Sequence, residues 1–177
     1  GDSIDFGNCT SGMGMKGNCN ATRGVWAGFH TPAVTNTIEF VTIATTGNTQ
    51  DFGDLTQART FCKGSGCSPT RGVWAGGATP SRVNTIDYVE MATLGDALDF
   101  GDITEAVSAC GGLSSPTRGF RIGGSTPTFT STIDFFTIAS KGNAVKFGDM
   151  TTQKDNSRGN VQSTTRGIIA GGRPSPG

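Results

Sequence analysis

The sequence predicts an all-β fold built from stacked repeats, and three observations carry that prediction. One eight-residue phrase recurs as "TRGVWAGF" at 22–29, "TRGVWAGG" at 70–77, "TRGFRIGG" at 117–124 and "TRGIIAGG" at 165–172. A second phrase keeps step with it: "DFGN" at 5–8, "DFGD" at 51–54 and 99–102, and "KFGD" at 146–149. Glycine, 28 of 177 residues, sits at fixed places in these phrases and not in low-complexity runs, so it punctuates a folded chain.

The spacing separates core from surface. The threonines that open the first phrase, Thr22, Thr70, Thr117 and Thr165, lie 48, 47 and 48 residues apart, a supersecondary period in the range of propeller blades. From Thr22 to Phe52, Thr70 to Phe100 and Thr117 to Phe147 the distance is 30 each time, whereas the return to the next threonine takes 16, 18, 17 and 18 residues. A unit of fixed length that alternates with a variable connector is a packed element followed by a surface loop. The units run over about 22–54, 70–102 and 117–149, with partial units at 1–8 and 165–177, in a single repeat domain spanning 1–177.

Each element follows from the residues in turn. "RGVWAGG" reads as a short strand closed by a glycine pair able to take positive φ. After a turn-rich link such as "ATPSR" comes a second strand, "NTIDYVEMA", matched by "NTIEFVTIA" and "STIDFFTIA". Side chains alternate across a strand, so Ile86 and Tyr88 point one way and Val89 and Met91 the other. Both faces are apolar, as expected of a sheet pressed between two others. A turn, "TLGDA" or "SKGNA", leads into a third strand around "LDFGDIT", and the connector is expected to add a fourth near "AVSAC". Three or four antiparallel strands with two apolar faces describe a β-propeller blade.

Charge excludes some partners. The 14 basic and 14 acidic residues balance without a polybasic run, which leaves no footprint for nucleic acid or an anionic membrane. No apolar stretch approaches the roughly 18 residues of a membrane span, and no signal peptide is visible. Cys9/Cys19 and Cys62/Cys67 are two locally spaced pairs that either close disulfides in an oxidising setting or remain inert thiols, with Cys110 left over. A lone histidine and scattered cysteines form no zinc set, and no phosphate loop or dinucleotide fingerprint occurs, so no metal or cofactor is expected.

An apolar run closed by Gly76–Gly77, then a strand led by Asn84 and carrying Tyr88, then Phe100 before a variable loop, resembles a kelch-type β-propeller repeat. Phe stands where that pattern usually has Trp, and Gly28 is followed by Phe29 in place of a second glycine. The phrasing "TIDYV", "DFGDLT" and "SPTRG" also resembles kelch-like repeat proteins that are structural components of marine bacteriophages. The resemblance implies a virion or extracellular setting and a non-enzymatic structural or recognition role. About four blades, or a fragment of a larger ring, are expected: a ring with one thin blade, an excerpt of a longer one, or a subunit completed by another chain through β-augmentation.

Among candidate residues, Arg23, Arg71, Arg118 and Arg166 recur in every unit, which favours ion pairs to acids such as Asp54, Asp102 or Asp149 over a ring of anion-binding guanidinium groups. Phe52, Phe100, Phe147, Trp26 and Trp74 are expected in inter-blade packing. Glu39, Asp87 and Asp134 share one repeat position and Asp51 and Asp99 another, so no distinguished carboxylate pair stands out for glycoside chemistry, the alternative reading. Departures from the repeat make better binding candidates: Phe29, His30, Arg82 and Phe129 all fall in the loop after the first strand, where one rim would present them to a partner subunit or a cell-surface glycan.

Overall fold

The computed structural model describes residues 1–10, 12, 16–30, 33–155 and 160–175. Three four-stranded antiparallel sheets follow one another along the chain. The first holds β1 (Lys16–Cys19), β2 (Arg23–Ala27), β3 (Thr37–Thr42) and β4 (Gln50–Asp54) in sequence order. In the second, β5 (Lys63–Cys67) and β6 (Arg71–Ala75) are followed by a small hairpin, β7 (Ala78–Thr79) with β8 (Ser81–Arg82), and then by β9 (Thr85–Glu90) and β10 (Leu98–Asp102). The third comprises β11 (Gly111–Ser114), β12 (Arg118–Ser125), β13 (Phe129–Thr137) and β14 (Val145–Asp149). Four two-residue strands close the chain: β15 (Lys154–Asp155), β16 (Val161–Gln162), β17 (Gly167–Ile168) and β18 (Arg173–Pro174), paired as β16 with β17 and β15 with β18.

The connector's strand differs from expectation in place and allegiance. "AVSAC" makes only a single bridge, Ser108 to Ser125, and the extended segment is β11, directly after it. It pairs with the following β12, so each connector ends in the first strand of the next sheet. Glycine explains the shift: the segments "KGNC", "KGSGC" and "GGLS" carry few side chains and let backbones approach, which "AVSAC" would prevent. A Cβ on Gly64 would lie 2.4 Å from the Gly17 carbonyl oxygen, and one on Gly112 would lie 2.4 Å from that of Gly64. The first strands of successive sheets are thus stacked backbone on backbone.

The sheets lie face to face, as the two-sided apolar pattern requires. Val25, Ile38, Phe40 and Phe52 of the first sheet bury against Trp74, Val89 and Met91 of the second. Val73, Ile86, Tyr88 and Phe100, on the opposite face of the second, bury against Phe136 and Ile138 of the third. Edge-on aromatic pairs recur at both faces, Phe40 with Phe52 at 5.8 Å and Tyr88 with Phe100 at 5.7 Å.

At the far edge, the "DFG" strand of one sheet hydrogen-bonds to the turn before the last strand of the next. Gly95 N donates to Phe52 O at 2.8 Å and Ala97 N to Asp54 O at 2.7 Å, and Gly142 and Ala144 repeat this on Phe100 and Asp102, each at 2.8 Å. Residues 1–10 dock on the first sheet in the same manner, with Gly47 N on Phe6 O at 2.8 Å and Thr49 N on Asn8 O at 2.9 Å. The motif's glycine is dictated by this approach: Gly53 has φ 144°, and a Cβ there would meet Gly95 O at 2.4 Å.

Gly112→Ala should lose about 1–3 kcal/mol or more through overpacking. Gly148, around which nothing lies within 4 Å, provides the control. Its alanine variant should change stability by less than about 0.5 kcal/mol. Urea denaturation of both variants decides the matter.

Candidate functional site

Three regions collect the chemistry: a rim, a set of buried charges, and an open groove. The rim forms where the loop after each glycine pair meets a connector, through the bridges Thr60 to Ala78 and Ser108 to Ser125 and the β15–β18 pair Asp155 to Arg173. His30 is exposed and its ring lies 5.8 Å from Phe61. Arg82 is exposed and donates to Ser125 Oγ at 3.1 Å, while Phe129 carries the Arg173 guanidinium 4.9 Å above its ring. These candidates therefore line one rim, each linked to the unit that follows and none gathered with the others. Phe29 is the exception. It is fully buried, so it belongs to the core and not to a contact surface.

Phe61 is a rim residue the sequence reading missed. It stands at φ 55°, Ala109 at the equivalent place stands at 52°, and neither is glycine. Phe61 is 42% exposed in spite of its size. Its signal in the sequence was faint: it is the one aromatic residue in the connectors 55–69 and 103–116.

The repeated arginines join sheets, but through carbonyl oxygens and not through the acids expected. Arg23 Nη1 donates to Met91 O at 2.7 Å, and Arg71 Nη1 to Ile138 O and Ala139 O at 3.0 Å each. Each guanidinium stacks on an aromatic ring of its own sheet, Phe40 at 5.2 Å and Tyr88 at 4.7 Å. The expected acids lie on the edge strands: Asp54 N and Asp102 N donate to Asp96 Oδ1 and Asn143 Oδ1 at 3.0 Å each, and the Asp149 carboxylate pairs with Lys146 at 2.8 Å. Arg118 stacks over Phe135 at 5.0 Å in the same way, and Arg166 lies beside the groove described below.

The acids on the second strand of each unit are all buried, and each is engaged. Thr10 hydrogen-bonds Glu39, Thr56 Oγ1 donates to Asp87 Oδ1 at 2.7 Å, and Thr104 Oγ1 to Asp134 Oδ1 at 2.8 Å, so the threonine after one "DFG" secures the next sheet. Two carry fully buried arginines as well: Arg59 Nη2 lies 3.0 Å from Asp87, and Arg121 pairs with Asp134. Those cations come from different places. Trp74 stands opposite Asp87 on β6, and Arg59 reaches in from the connector; Arg121 itself stands opposite Asp134, and buried Val107 fills the connector position. Arg and a large apolar side chain have exchanged sites around a conserved geometry. The sequence signal was the break from "GVWA" to "GFRI".

The groove, of about 580 Å³, lies between the outward face of the third sheet and the β16–β17 hairpin, lined by Leu113, Arg118, Phe120, Ile133, Phe147 and Arg166 among others. At the two preceding interfaces the corresponding space is filled by β9 or β13 of the next sheet and the residue that follows it, through Val89 and Met91 or Phe136 and Ile138. Phe147 consequently differs from its counterparts: it is 60% exposed, whereas Phe52 and Phe100 are 2% exposed. Trp74 is buried as expected, while Trp26 is half-buried beside residues 1–10 in a second groove of about 430 Å³.

None of the five cysteines is in a disulfide. The pair Cys62/Cys67 is excluded by the strand between them, because five extended residues span roughly 16 Å against a Cα separation of about 7 Å at most for a disulfide. The chain matches no protein-family model and no curated protein.

Burial separates the candidates experimentally. Phe29→Ala should cost about 3–5 kcal/mol, whereas His30→Ala should stay within about 0.5 kcal/mol, both read from urea midpoints. Asp87→Ala strands the Arg59 guanidinium in the interior and should cost about 3–5 kcal/mol, which thermal melts of the variant will show.

Proposed function

We propose that the chain is a non-enzymatic assembly module, an arc or ring of kelch-like propeller blades, that accepts a further β-strand of its own repeat type in the groove beside the third sheet. One observation carries this reading: the third sheet presents to the groove the same aromatic face and the same stacked arginine that hold the following sheet at the two interior interfaces. The ligand that fits is an extended segment of the kind of "NTIDYVEMA", with one of its apolar faces turned to the groove. It would pair with the outer edge of β17, set an apolar side chain against Phe120 and Phe147, and offer Arg118 a carbonyl oxygen. An acid on that strand would meet Thr151, which follows Phe147 at the step by which Thr56 follows Phe52. The engagement of Glu39, Asp87 and Asp134 in separate interior contacts supports a passive role over glycoside hydrolysis, which needs two carboxylates in one cleft. Resemblance to phage structural repeats supports a virion or extracellular setting.

A second reading rests on the exposed His30–Phe61 ring pair with its strained Phe61 backbone: the rim would contact a glycan or a protein surface. A glycan array probed with the protein and with the double variant His30→Ala, Arg82→Ala would detect it as binding lost in the variant.

The strand reading is tested with a peptide of residues 84–102 added to the intact chain. Saturable binding is expected, with slowed amide exchange at Gly167 and Ile168, and Arg118→Ala should weaken it about tenfold through loss of a charge-assisted hydrogen bond. A scrambled peptide that binds equally well, or protection confined to other strands, would overturn the proposal. Concentration-dependent self-association with the same protected residues would identify a second copy as the source of the strand.

A further inference from the structure

We infer that Cys19 and Cys67 form a disulfide that staples the first strands of the first and second sheets when the protein meets a small-molecule disulfide oxidant such as oxidised glutathione. The pair is brought together by the stacking of repeat positions and not by nearness in sequence. Cys19 lies opposite Gly24, Cys67 opposite Gly72, Ser114 opposite Gly119 and Gln162 opposite Gly167, so these four occupy one position in four successive units. Close approach of the strands at Gly17 and Gly64, two and three residues away, sets the separation. Cys19 N donates to Cys67 Sγ at 3.2 Å, and the Cys67 thiol in turn hydrogen-bonds the Cys19 carbonyl oxygen.

An independent observation shows that this position links neighbouring units elsewhere. Ser114 N donates to Gln162 Oε1 at 2.8 Å and Gln162 Nε2 to Ser114 Oγ at 3.2 Å, a side-chain bridge between the third sheet and the β16–β17 hairpin. Where Ser and Gln tie the later units, the first pair sets the Cys67 thiol against Cys19. Neither is sealed from reagent, since Cys19 is exposed and Cys67 half-buried. Cys62 and Cys110 are buried and remote from solvent oxidants.

The chemistry balances in two exchanges. The Cys19 thiolate attacks one sulfur of the oxidant, forming a mixed disulfide and releasing one small thiol. Cys67 then loses its proton to solvent and attacks Cys19 Sγ, expelling the second small thiol. Two protein S–H bonds become one S–S bond, and the oxidant's S–S bond becomes two thiols. Burial pushes the Cys67 thiol up to about 11, with the Cys19 thiol adding to the rise and the Cys19 amide opposing it. The closing step should therefore quicken about tenfold per unit from about pH 7 to 9, as the scarce thiolate grows.

The test incubates the full chain in a glutathione buffer, blocks remaining thiols by alkylation, and maps peptides without reduction. Three blocked thiols and one linked pair, Cys19 with Cys67, are expected, with a rise in Tm on the order of 10 °C that reductant reverses. Cys9→Ser should retain the link. Cys67→Ser, which copies the residue of the third unit, should leave Cys19 as a glutathione adduct and abolish the rise in Tm. Five blocked thiols, or a link from Cys9 to Cys19, would overturn the inference. It stands independently of the strand-accepting groove.

Discussion

Backbone meets backbone along the first strands of successive sheets, and this contact governs the spacing of everything beyond it. Gly64 and Gly112 sit where any Cβ would strike a carbonyl of the preceding sheet's first strand, that of Gly17 and that of Gly64. Pinned there, the sheets diverge only as far as the bulkier residues of the second and third strands allow. That wedge is filled by the aromatic pairs Phe40–Phe52 and Tyr88–Phe100 and by Trp74, Met91 and Phe136. At the outer edge the "DFG" strands contact backbone again, through hydrogen bonds and not steric closeness alone. Each interface is therefore fastened at both ends and packed in the middle, and neither end tolerates a side chain.

Polar residues in the interior follow from the same geometry. A carboxylate buried between sheets needs donors, and the threonine after each "DFG" supplies one from the neighbouring unit. The cation can come from the connector, as Arg59 does, or from the strand itself, as Arg121 does, provided that the other position turns apolar. Removing one partner is costly while relocating it is not, so the pair can wander between sites over repeats without disturbing the stack. The repeat is better described as a conserved set of satisfied contacts than as a conserved string of residues.

This is also why the sequence was legible to the extent that it was. The two phrases and the constant interval of 30 residues expose the interfaces, because backbone approach and face-to-face packing tolerate little variation. The opposite orientation of Ile86–Tyr88 and Val89–Met91 follows from strand alternation alone, and each pair enters a different cluster. What stayed hidden depends on proximity between units. The carbonyl partners of Arg23 and Arg71 and the meeting of Cys19 with Cys67 join residues 48 to 68 positions apart. Local spacing suggested Cys9 with Cys19 and Cys62 with Cys67, whereas stacking pairs like positions. Phe29 misled for a related reason: a departure from the repeat can repack the core as readily as it can decorate a surface, and only burial tells the two apart.

Repetition also constrains where function can reside. A residue that recurs in every unit is already explained by packing, and the arginines, acids and aromatics of the interior are all of that kind. What remains is the His30–Phe61 pair, a departure from the repeat on the rim, and the groove beside the third sheet. The groove differs in character from the rim, because its chemistry is the repeat's own. At the two interior interfaces the equivalent face holds the apolar strand of the next sheet, and beside the third sheet Phe120, Phe147 and Arg118 line the groove. The proposed acceptance of a like strand would need no dedicated binding residue, since the interactions that stack the units within the chain are the ones it would use.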